Sequence, residues 1–326
     1  MVQEIAAGLY TIEIPLPVSQ LRSINSYIIT APARNMIIDT GMYHDDCMTA
    51  MQAGLHELGV DLAKTDFFIT HCHGDHFGLV PRLINNGAAI YINTREADVL
   101  QRIKSGAIIS EIADFIRASG FPESEVDHIF PDRGSAFKRV DSLPFRFVDD
   151  GDCIEAGDYQ LQCVRTPGHT KGHLCLYEPT KKFLIAGDHL LGDITPGIQG
   201  RCNTEDPLKE YLQSLDKIAA LDIEMVLPGH RRLFKNCHER IAELQEHHRQ
   251  RAQEVMAVVR EGGLDTYQVA SRMTWDVDCD SWDVFPLMQQ FFATGEACAH
   301  LRYLEEQGII QSEVQQGRLV YSLRGT

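Results

Sequence analysis

The sequence lacks long apolar runs, and this absence excludes one class of protein at once. Its apolar stretches, such as residues 88–92, fall far short of the ~20 residues that a membrane-spanning helix needs. Residues 1–5 also lack a basic segment that leads into an apolar one, so a secretory signal is not expected. The sequence therefore predicts no membrane partner.

Paired cysteine motifs are absent as well. The nine cysteines include no Cys-x-x-Cys pair, and an odd number of scattered thiols fits a disulfide framework poorly. We therefore expect a reducing, cytoplasmic location in which most of the thiols fill the core. They stand at positions 47, 72, 153, 163, 175, 202, 237, 279 and 298.

Basic residues are scarce: 30 Lys and Arg against 46 Asp and Glu give a net charge of −16. Such a charge repels nucleic acids and anionic membrane surfaces overall, although a local basic groove is compatible with it. With 44% hydrophobic and 23% charged residues, the composition is typical of a globular protein. A chain of 326 residues suffices for one large domain and a small one.

Strand and helix patterns alternate through the first part of the chain. Apolar and polar residues alternate as in strands, or recur at helical spacing, in segments that follow one another in the order strand, helix, strand. This order predicts an α/β fold, a pseudo-duplicated αββα sandwich over residues 1–240. The predicted strands are 5–14, 24–30, 35–39, 66–70, 88–92, 145–148, 160–165, 173–177 and 182–186, and the predicted helices are 45–58 and 78–86.

Residues 95–131 interrupt that pattern with helical segments at 97–104 and 108–118 and a further helix from Glu123. We interpret them as an insertion on the core and as a lid for the site. Beyond residue 240, helices at 238–261, 266–273 and 295–307 precede a β-hairpin at 309–323. Helix, helix, hairpin is a winged-helix arrangement, so residues 241–326 are predicted to form a small winged-helix domain.

Four potential metal ligands lie within six residues directly after the strand at 66–70. They are His71, His73, Asp75 and His76. Imidazole nitrogen and carboxylate oxygen are ligands that Zn²⁺ accepts, and Fe²⁺ or Mn²⁺ tolerate the same set. Because His71 and His73 would point apart on a helix, a loop at the end of the strand is needed to turn both inward.

Three later loops each place one more such ligand after a predicted strand. His169 follows Pro167-Gly168, Asp188 follows Gly187, and His230 follows Pro228-Gly229. Taken alone, Asp188 is equally well interpreted as a turn or capping residue. In series with the first cluster, all three are predicted to complete a site for two divalent metal ions.

This ordered set of motifs resembles the metallo-β-lactamase superfamily over residues 5–240. The resemblance implies that His71, His73 and His169 hold a first metal, that Asp75, His76 and His230 hold a second, and that Asp188 bridges them. It also implies that Asp39, in an Asp39-Thr40-Gly41 turn, orients a ligand imidazole.

The chemistry implied by two such metals is attack by a metal-bridging hydroxide on a carbonyl or phosphoryl centre. Asp75 beside the bridging water is the expected proton acceptor, so Asp75 and Asp39 are the candidate catalytic residues. His173 and His189 are spare histidines for which structural roles are favoured over proton donation to a leaving group.

Two residues distinguish this sequence from known branches of the superfamily. Asp188 stands where zinc β-lactamases present Cys, and His73 stands where flavodiiron relatives present Glu.

Residues 266–270, 292–301 and 304–308 resemble the winged helix of a subfamily that includes an endoribonuclease and many bacterial hydrolases. Residues 248–326 carry seven Arg and no Lys against eleven Asp and Glu, which disfavours nucleic acid as the partner. The winged helix is instead expected to pack on the catalytic domain, or on another subunit of a homodimer.

The sequence thus predicts hydrolysis of a small acyl substrate, a thioester, ester or lactone. Its pocket is expected to be shaped by residues 95–131 and by the loop at 189–204. The alternatives are a metal-dependent phosphodiesterase acting on RNA and a non-catalytic metal-binding module. Trp275 and Trp282 are interpreted as core or interface residues in preference to a stacking platform.

Overall fold

The computed structural model describes residues 2–17, 19, 21–125, 140–203, 205–277, 279 and 281–325. Two sheets face each other, a seven-stranded sheet in the order β1 to β7 and a five-stranded sheet in the order β12-β11-β10-β9-β8. The first sheet consists of β1 Val2–Ala6, β2 Leu9–Pro15, β3 Ser23–Ile29, β4 Asn35–Ile38, β5 Thr65–Phe68, β6 Ile90–Ile92 and β7 Phe145–Phe147. The second consists of β8 Cys153–Ala156, β9 Tyr159–Arg165, β10 Leu174–Glu178, β11 Phe183–Gly187 and β12 Met225–Pro228.

An apolar layer fills the space between the sheets. Tyr27 and Phe68 from the first sheet join Leu161, Leu176 and Ile185 from the second in one buried cluster. Every residue of β10 and β11 is buried, as expected for strands covered on both faces. The residues of these inner strands that point away from this layer pack under helices.

Helices cover the outer face of each sheet. Helix α1 (Asp45–Glu57) buries Met51 and Leu55 on the first sheet, at the four-residue spacing of one helix face. Helix α6 (Pro207–Ala219) buries Tyr211 and Leu215 on the second. This helix–sheet–sheet–helix order confirms the predicted αββα sandwich.

The insertion contains helices α4 (Thr94–Ser105) and α5 (Ala107–Ser119), close to the predicted 97–104 and 108–118. A single turn of 3₁₀ helix, Glu123–Glu125, follows, and the remainder of the predicted segment up to residue 131 lies outside the described residues. Phe115 of α5 packs edge-on against Phe291 near the C-terminus, with ring centroids 5.7 Å apart. The insertion is therefore held against the C-terminal region; its role as a lid stays a prediction.

The segment after β5 differs from the prediction. In place of one helix over 78–86, the chain forms two short helices, α2 (Gly74–Phe77) and α3 (Val80–Leu83). Pro81 lies in the first turn of the second helix, and Ile84 is already extended at φ −65° and ψ 135°. The helix cannot continue because the chain must turn here to enter β6.

The C-terminal region contains α7 (Cys237–Val259), α8 (Thr266–Ala270), α9 (Leu287–Glu306) and a three-stranded antiparallel sheet. Its strands are β13 Leu264–Asp265, β14 Ile310–Gln315 and β15 Arg318–Leu323. The predicted hairpin is present, and α8 ends earlier than predicted. Both tryptophans pack partly buried on the apolar core of this region. Its assignment as a winged helix stays a prediction.

Helix α7 joins the two parts of the molecule. Ile241 and Leu244 in its first half belong to the core under the second sheet, whereas Val255 and Val259 in its second half belong to the C-terminal core. Among the described residues, no helix is long and apolar enough to cross a membrane.

Candidate metal centre

The seven predicted ligands all follow strands of the two sheets at one edge of the sandwich. His71, His73, Asp75 and His76 come directly after β5; His169, Asp188 and His230 follow β9, β11 and β12. The structure brings these seven residues together, with candidate ligand atoms within 4.8 Å of one another in each of three overlapping groups. The second half of the first motif is helical, because Gly74–Phe77 forms α2 with His73 as its N-terminal cap. Only its first half is the predicted loop.

Three imidazoles form the first group. The Nε2 of His71 and the Nε2 of His169 each lie 3.0 Å from the Nδ1 of His73. His71 is fully buried, whereas His73 is exposed at the rim, so this group opens to solvent on one side.

A carboxylate and two imidazoles form the second group. The Nε2 of His230 lies 3.3 Å from Oδ2 of Asp75, and the Nε2 of His76 lies 3.9 Å from the same oxygen. Both imidazoles are fully buried, and the Asp75 side chain is 18% exposed. Asp75 is therefore the member of this group that solvent can reach.

Asp188 lies between the two groups. Its Oδ1 is 3.4 Å from the Nε2 of both His76 and His230, and its Oδ2 is 3.7 Å from the Nε2 of His169. Each oxygen of one carboxylate thus faces a different group.

The outward nitrogen of each of four imidazoles has an oxygen partner. The Nδ1 of His76 is 2.7 Å from Asp39 Oδ2, that of His230 is 2.7 Å from the Ser23 carbonyl, and that of His169 is 2.8 Å from the Gly197 carbonyl. The Nδ1 of His71 is 3.0 Å from the Thr70 hydroxyl, which donates to Asp39 Oδ2 and therefore accepts from the imidazole. With the outer N–H donated in this way, Nε2 of each ring is directed into the site.

Those inward atoms provide a test of whether a metal fits. The Nε2 atoms of His76 and His230 and the Oδ1 of Asp188 are buried and have no hydrogen-bond partner among the described residues. Buried polar atoms ordinarily have hydrogen-bond partners, so three such atoms without one, converging on one space, are suited to binding a cation. Nitrogen and carboxylate oxygen donors suit a divalent cation, and the residues present therefore fit the metals predicted from the sequence.

The buried acidic and basic groups of the site shift one another's pKa values. Burial opposes protonation of His230, but Asp188 and Asp75 outweigh it and raise its pKa to about 10. Burial likewise opposes protonation of His76, and Asp188 and Asp39 outweigh that effect, so that the pKa of His76 is raised. Burial raises the pKa of Asp75, but the neighbouring His76 and His230 lower it to about 2. The buried imidazoles and carboxylates therefore favour one another's charged forms.

Asp39 stands behind the site and connects two of its loops. Its backbone is left-handed, at φ 56°, and its side chain accepts from the Thr70 amide at 2.9 Å and from the Thr70 hydroxyl at 2.7 Å in addition to His76. A left-handed non-glycine residue is strained, and it persists here because three donors fix the carboxylate. Asp39 contacts His76 directly and His71 through the Thr70 hydroxyl, so it is a positioning residue.

Replacing Asp39 with Asn is expected to weaken metal binding about 10- to 100-fold, because the amide loses the charge that fixes the His76 and His71 tautomers. Metal affinity measured by competition with a chromogenic chelator checks this. Asp61→Asn is the matched control, since Asp61 also begins a turn, accepting from Ala63 N, but lies at an exposed site. Equal affinities for D39N and D61N would contradict the assigned role.

Glu96 is a buried residue of the site that the sequence analysis missed. It is 0% exposed, and its two oxygens accept from the amides of Cys72, at 2.8 Å, and Gly172, at 2.7 Å. Cys72 lies between two ligands of the first loop, and Gly172 lies in the loop that carries His169. A carboxylate from α4 of the insertion thus joins the two loops; the sequence offers no signal for it beyond an acidic residue in the first turn of a helix.

Two residues of β3 hold the His230 loop and were also missed. The Asn25 side chain donates to the carbonyls of Pro228, at 3.0 Å, and Arg231, at 2.8 Å, while the Tyr27 hydroxyl donates to Pro228 at 2.7 Å. The loop has no room for a larger residue at Gly229, where a Cβ would lie 2.7 Å from Asp188 Oδ1. The approach of backbone to carboxylate therefore requires glycine.

The spare histidines predicted to be structural are buried. The Nε2 of His173 accepts from the Asp188 amide at 3.2 Å, and its Nδ1 lies 2.9 Å from the Thr166 hydroxyl, so it fixes the backbone of Asp188. Burial and the neighbouring His189 lower the pKa of His173. The ring of His189 packs against Tyr211 at 5.3 Å.

Comparison with known families agrees with this geometry. A family model described as the metallo-beta-lactamase superfamily matches residues 20–230. A beta-lactamase-like protein 2 homolog from Caenorhabditis elegans is 25% identical over 242 residues, 74% of this chain and 67% of that protein. An atrochrysone carboxyl ACP thioesterase from Aspergillus fumigatus is 23% identical over 243 residues, 74% of this chain and 61% of that protein.

Solved structures extend the similarity over nearly the whole chain. A metallo-beta-lactamase family protein from Thermus thermophilus superposes with a TM-score of 0.82 at 26% identity, covering 98% of this chain and 100% of that one. A beta-lactamase domain protein from Burkholderia ambifaria gives 0.83 at 25% identity, covering 99% and 93%. A class B3 di-zinc metallo-beta-lactamase from an Alaskan soil metagenome shares the fold, at 0.53 and 21%, over 76% of this chain and 93% of that one. The chain therefore belongs to the metallo-beta-lactamase superfamily and is a metal-dependent hydrolase.

Proposed function

We propose that this hydrolase is binuclear and acts on a small acyl substrate, a thioester, ester or lactone. The observation that carries the binuclear part is the orientation of Asp188. One of its oxygens faces the His76 and His230 nitrogens, and the other faces His169. A single carboxylate placed in this way is suited to bridging two cations.

His71, His73 and His169 would hold the first cation, Asp75, His76 and His230 the second, and Asp188 would contact both. Zn²⁺ is the proposed metal, and Fe²⁺ or Mn²⁺ suit the same donors. When bound, two such cations supply Lewis acidity for a substrate carbonyl and lower the pKa of water.

Residues of the chain accept a proton, orient the ligand imidazoles and leave one side open to substrate. Asp75 is the partly exposed carboxylate of the second group. We propose that it accepts the proton released when water is activated. Asp39 and Thr70 keep the outer protons on His76 and His71, so that both rings direct Nε2 inward. The exposed edge at His73 and Gly74 is the side from which substrate enters.

One exposed aromatic residue contacts a loop of the site, and it favours an acyl group over a charged one. The Gly197 carbonyl accepts from His169, and two residues later the Gln199 amide donates to the Phe292 carbonyl at 3.2 Å. Phe292, whose side chain is 46% exposed, thus contacts through its backbone the loop that holds His169. Two relatives at 23% and 24% identity carry the name atrochrysone carboxyl ACP thioesterase, which supports thioesters as the first class to test.

The test is turnover of a panel of acyl thioesters, aryl esters and lactones, with a model RNA alongside, by Zn-, Fe- and Mn-loaded protein. We expect an acyl substrate to be hydrolysed at least about tenfold faster than the RNA phosphodiester, a difference of about 1.4 kcal/mol in activation free energy. Faster cleavage of the RNA would replace this proposal with the phosphodiesterase alternative. No turnover of any substrate by metal-loaded protein would contradict both.

Metal binding is expected to release protons. With its pKa raised to about 10, His230 is protonated at pH 7 in the metal-free protein and must lose a proton to bind metal, and the raised pKa of His76 acts in the same direction. Metal affinity should therefore rise with pH, by up to about tenfold per pH unit for each proton displaced. Calorimetric titration with Zn²⁺ in buffers of different ionisation enthalpy counts the protons, and a count of zero would show the assignment to be wrong.

A further inference from the structure

Two cysteines from distant parts of the chain lie side by side outside the metal centre. The Sγ atoms of Cys202 and Cys298 are 3.1 Å apart. Cys202 belongs to the loop after β11 that also contains Gly197, and Cys298 lies on α9. This separation is shorter than contact between unreacted sulfur atoms usually allows, and in a disulfide the two atoms lie about 2.05 Å apart.

The two thiols differ in their surroundings. Cys298 is 1% exposed, whereas Cys202 is half-buried and has a left-handed backbone at φ 55°. The Cys202 amide donates to the Cys298 Sγ at 3.1 Å, and the Thr266 hydroxyl lies 3.8 Å from the Cys202 Sγ. Cys202 is thus the accessible thiol, and Cys298 is the thiol held behind it.

A cavity of about 250 Å³ reaches this pair from the surface. Its walls include Arg201, Cys202, Cys298, Arg302 and Tyr321. The cavity is large enough for a molecule of the size of hydrogen peroxide or a short alkyl hydroperoxide. Both cysteines line this cavity, so a small oxidant that enters it lies beside the pair.

We propose that Cys202 and Cys298 form a redox-active thiol pair that reacts with hydroperoxides to give an intramolecular disulfide. This site is separate from the metal centre, and the proposal does not depend on the hydrolase activity. The hydrogen bond from Cys298 and the nearby Arg201 lower the pKa of Cys202, which raises its thiolate fraction.

The reaction balances in two steps. The Cys202 thiolate attacks one oxygen of the hydroperoxide; an S–O bond forms, the O–O bond breaks, and the alkoxide or hydroxide takes a proton to leave as alcohol or water. The Cys298 sulfur then attacks the Cys202 sulfur. The S–S bond forms, the S–O bond breaks, and the departing hydroxide combines with the Cys298 proton as water. Two thiols lose two electrons, which the hydroperoxide gains.

The disulfide would attach covalently a loop that is already held on α9. The Gly200 amide donates to the Gly295 carbonyl at 2.8 Å, and the Gln199 side-chain amide donates to the Phe292 carbonyl. A link between residues 202 and 298 closes a long loop of chain, and long loops give the larger stabilisation on cross-linking. The oxidised protein should therefore unfold at a temperature higher by several degrees.

The experiment treats the full-length protein with one equivalent of hydrogen peroxide and maps its peptides without reduction. We expect a cross-linked peptide that contains Cys202 and Cys298, a mass lower by two hydrogens, a higher unfolding temperature, and reversal of all three by dithiothreitol. In Cys298→Ser, Cys202 should instead be trapped by dimedone as the sulfenic acid. If C298S does not fold, Cys202→Ser supplies the test, because it should lose both the cross-link and the temperature shift.

Two other cysteines serve as controls. Cys153 is exposed and Cys279 is partly exposed, and each contacts a backbone carbonyl, at Gly151 and Ser281, through its sulfur. Cys153→Ser and Cys279→Ser should form the 202–298 cross-link at the wild-type rate. Oxidation of Cys153 or Cys279 ahead of Cys202, or absence of the linked peptide once Cys202 is oxidised, would overturn the proposal.

Discussion

Replacing Asp188 with Asn is expected to lower kcat/KM by on the order of a thousandfold, about 4 kcal/mol of transition-state stabilisation. The amide keeps the shape of the side chain but removes the negative charge that faces His76, His230 and His169. Without that charge, no carboxylate would connect the two groups of candidate ligands. Elemental analysis should therefore show fewer than two metals per chain, and the kinetics should be measured at saturating metal.

Asp193→Asn is the matched control for this change. Asp193 lies in the same loop after β11, and its carboxylate forms an exposed ion pair with Arg232 at 2.7 Å. Because exposed ion pairs of this kind contribute little, D193N should keep wild-type metal content and activity. Full activity of D188N with two metals bound would show that Asp188 has no bridging role.

Replacing Glu96 with Ala is expected to lower the free energy of unfolding by about 3–6 kcal/mol. The change leaves the buried amides of Cys72 and Gly172 without acceptors, at about 1–3 kcal/mol each, and adds a cavity. Denaturant titration of the metal-free protein measures the loss. Because the two loops carry His71, His73 and His169, metal affinity should fall as well.

Two variants calibrate the Glu96 result. Glu96→Gln keeps the volume and one carbonyl oxygen, so it should show roughly half of the loss. Asp98→Asn alters an exposed carboxylate on the same helix and should change the free energy of unfolding by less than about 0.5 kcal/mol. A Glu96→Ala protein as stable as D98N would refute the idea that this carboxylate joins the loops.

The clustering of the candidate metal ligands could be predicted from the sequence, because most of the residues involved lie close together in the chain or recur in similar loops. A turn or a core packing role does not call for three histidines and an aspartate within six residues after a strand, and the Pro-Gly-His loops repeat the pattern. Once the strands were placed side by side, the common edge of the sheets brought His169, Asp188 and His230 to the same point. Residues that follow neighbouring strands at the same edge of a sheet come close together without any further signal in the sequence.

The supporting residues were not predictable, since each acts over a long separation in sequence. Glu96 meets Gly172 across 76 positions, and Asn25 meets Pro228 across 203. Neither has a spacing pattern, because only the folded arrangement of sheet, insertion and loop brings the partners together. A buried acidic residue in the first turn of a helix looks the same in sequence as an exposed one.

The predicted start of one helix was wrong for a related reason. The sequence predicted a helix beginning at Gly295. The helix in fact starts at Leu287, and Gly295 lies inside it, where a Cβ would meet the Gln199 side chain at 2.0 Å. The glycine gives room to a neighbouring loop, a requirement that local propensity does not record.

Helix α7 has a consequence for how the molecule can lose or gain its C-terminal region. Ile241 and Leu244 belong to the core under the second sheet, and Val255 and Val259 belong to the C-terminal core. Both cores therefore depend on the same continuous helix. The two parts should therefore melt in a single cooperative transition. For the same reason, a lineage could discard the C-terminal region only by rebuilding the outer surface of the catalytic sandwich.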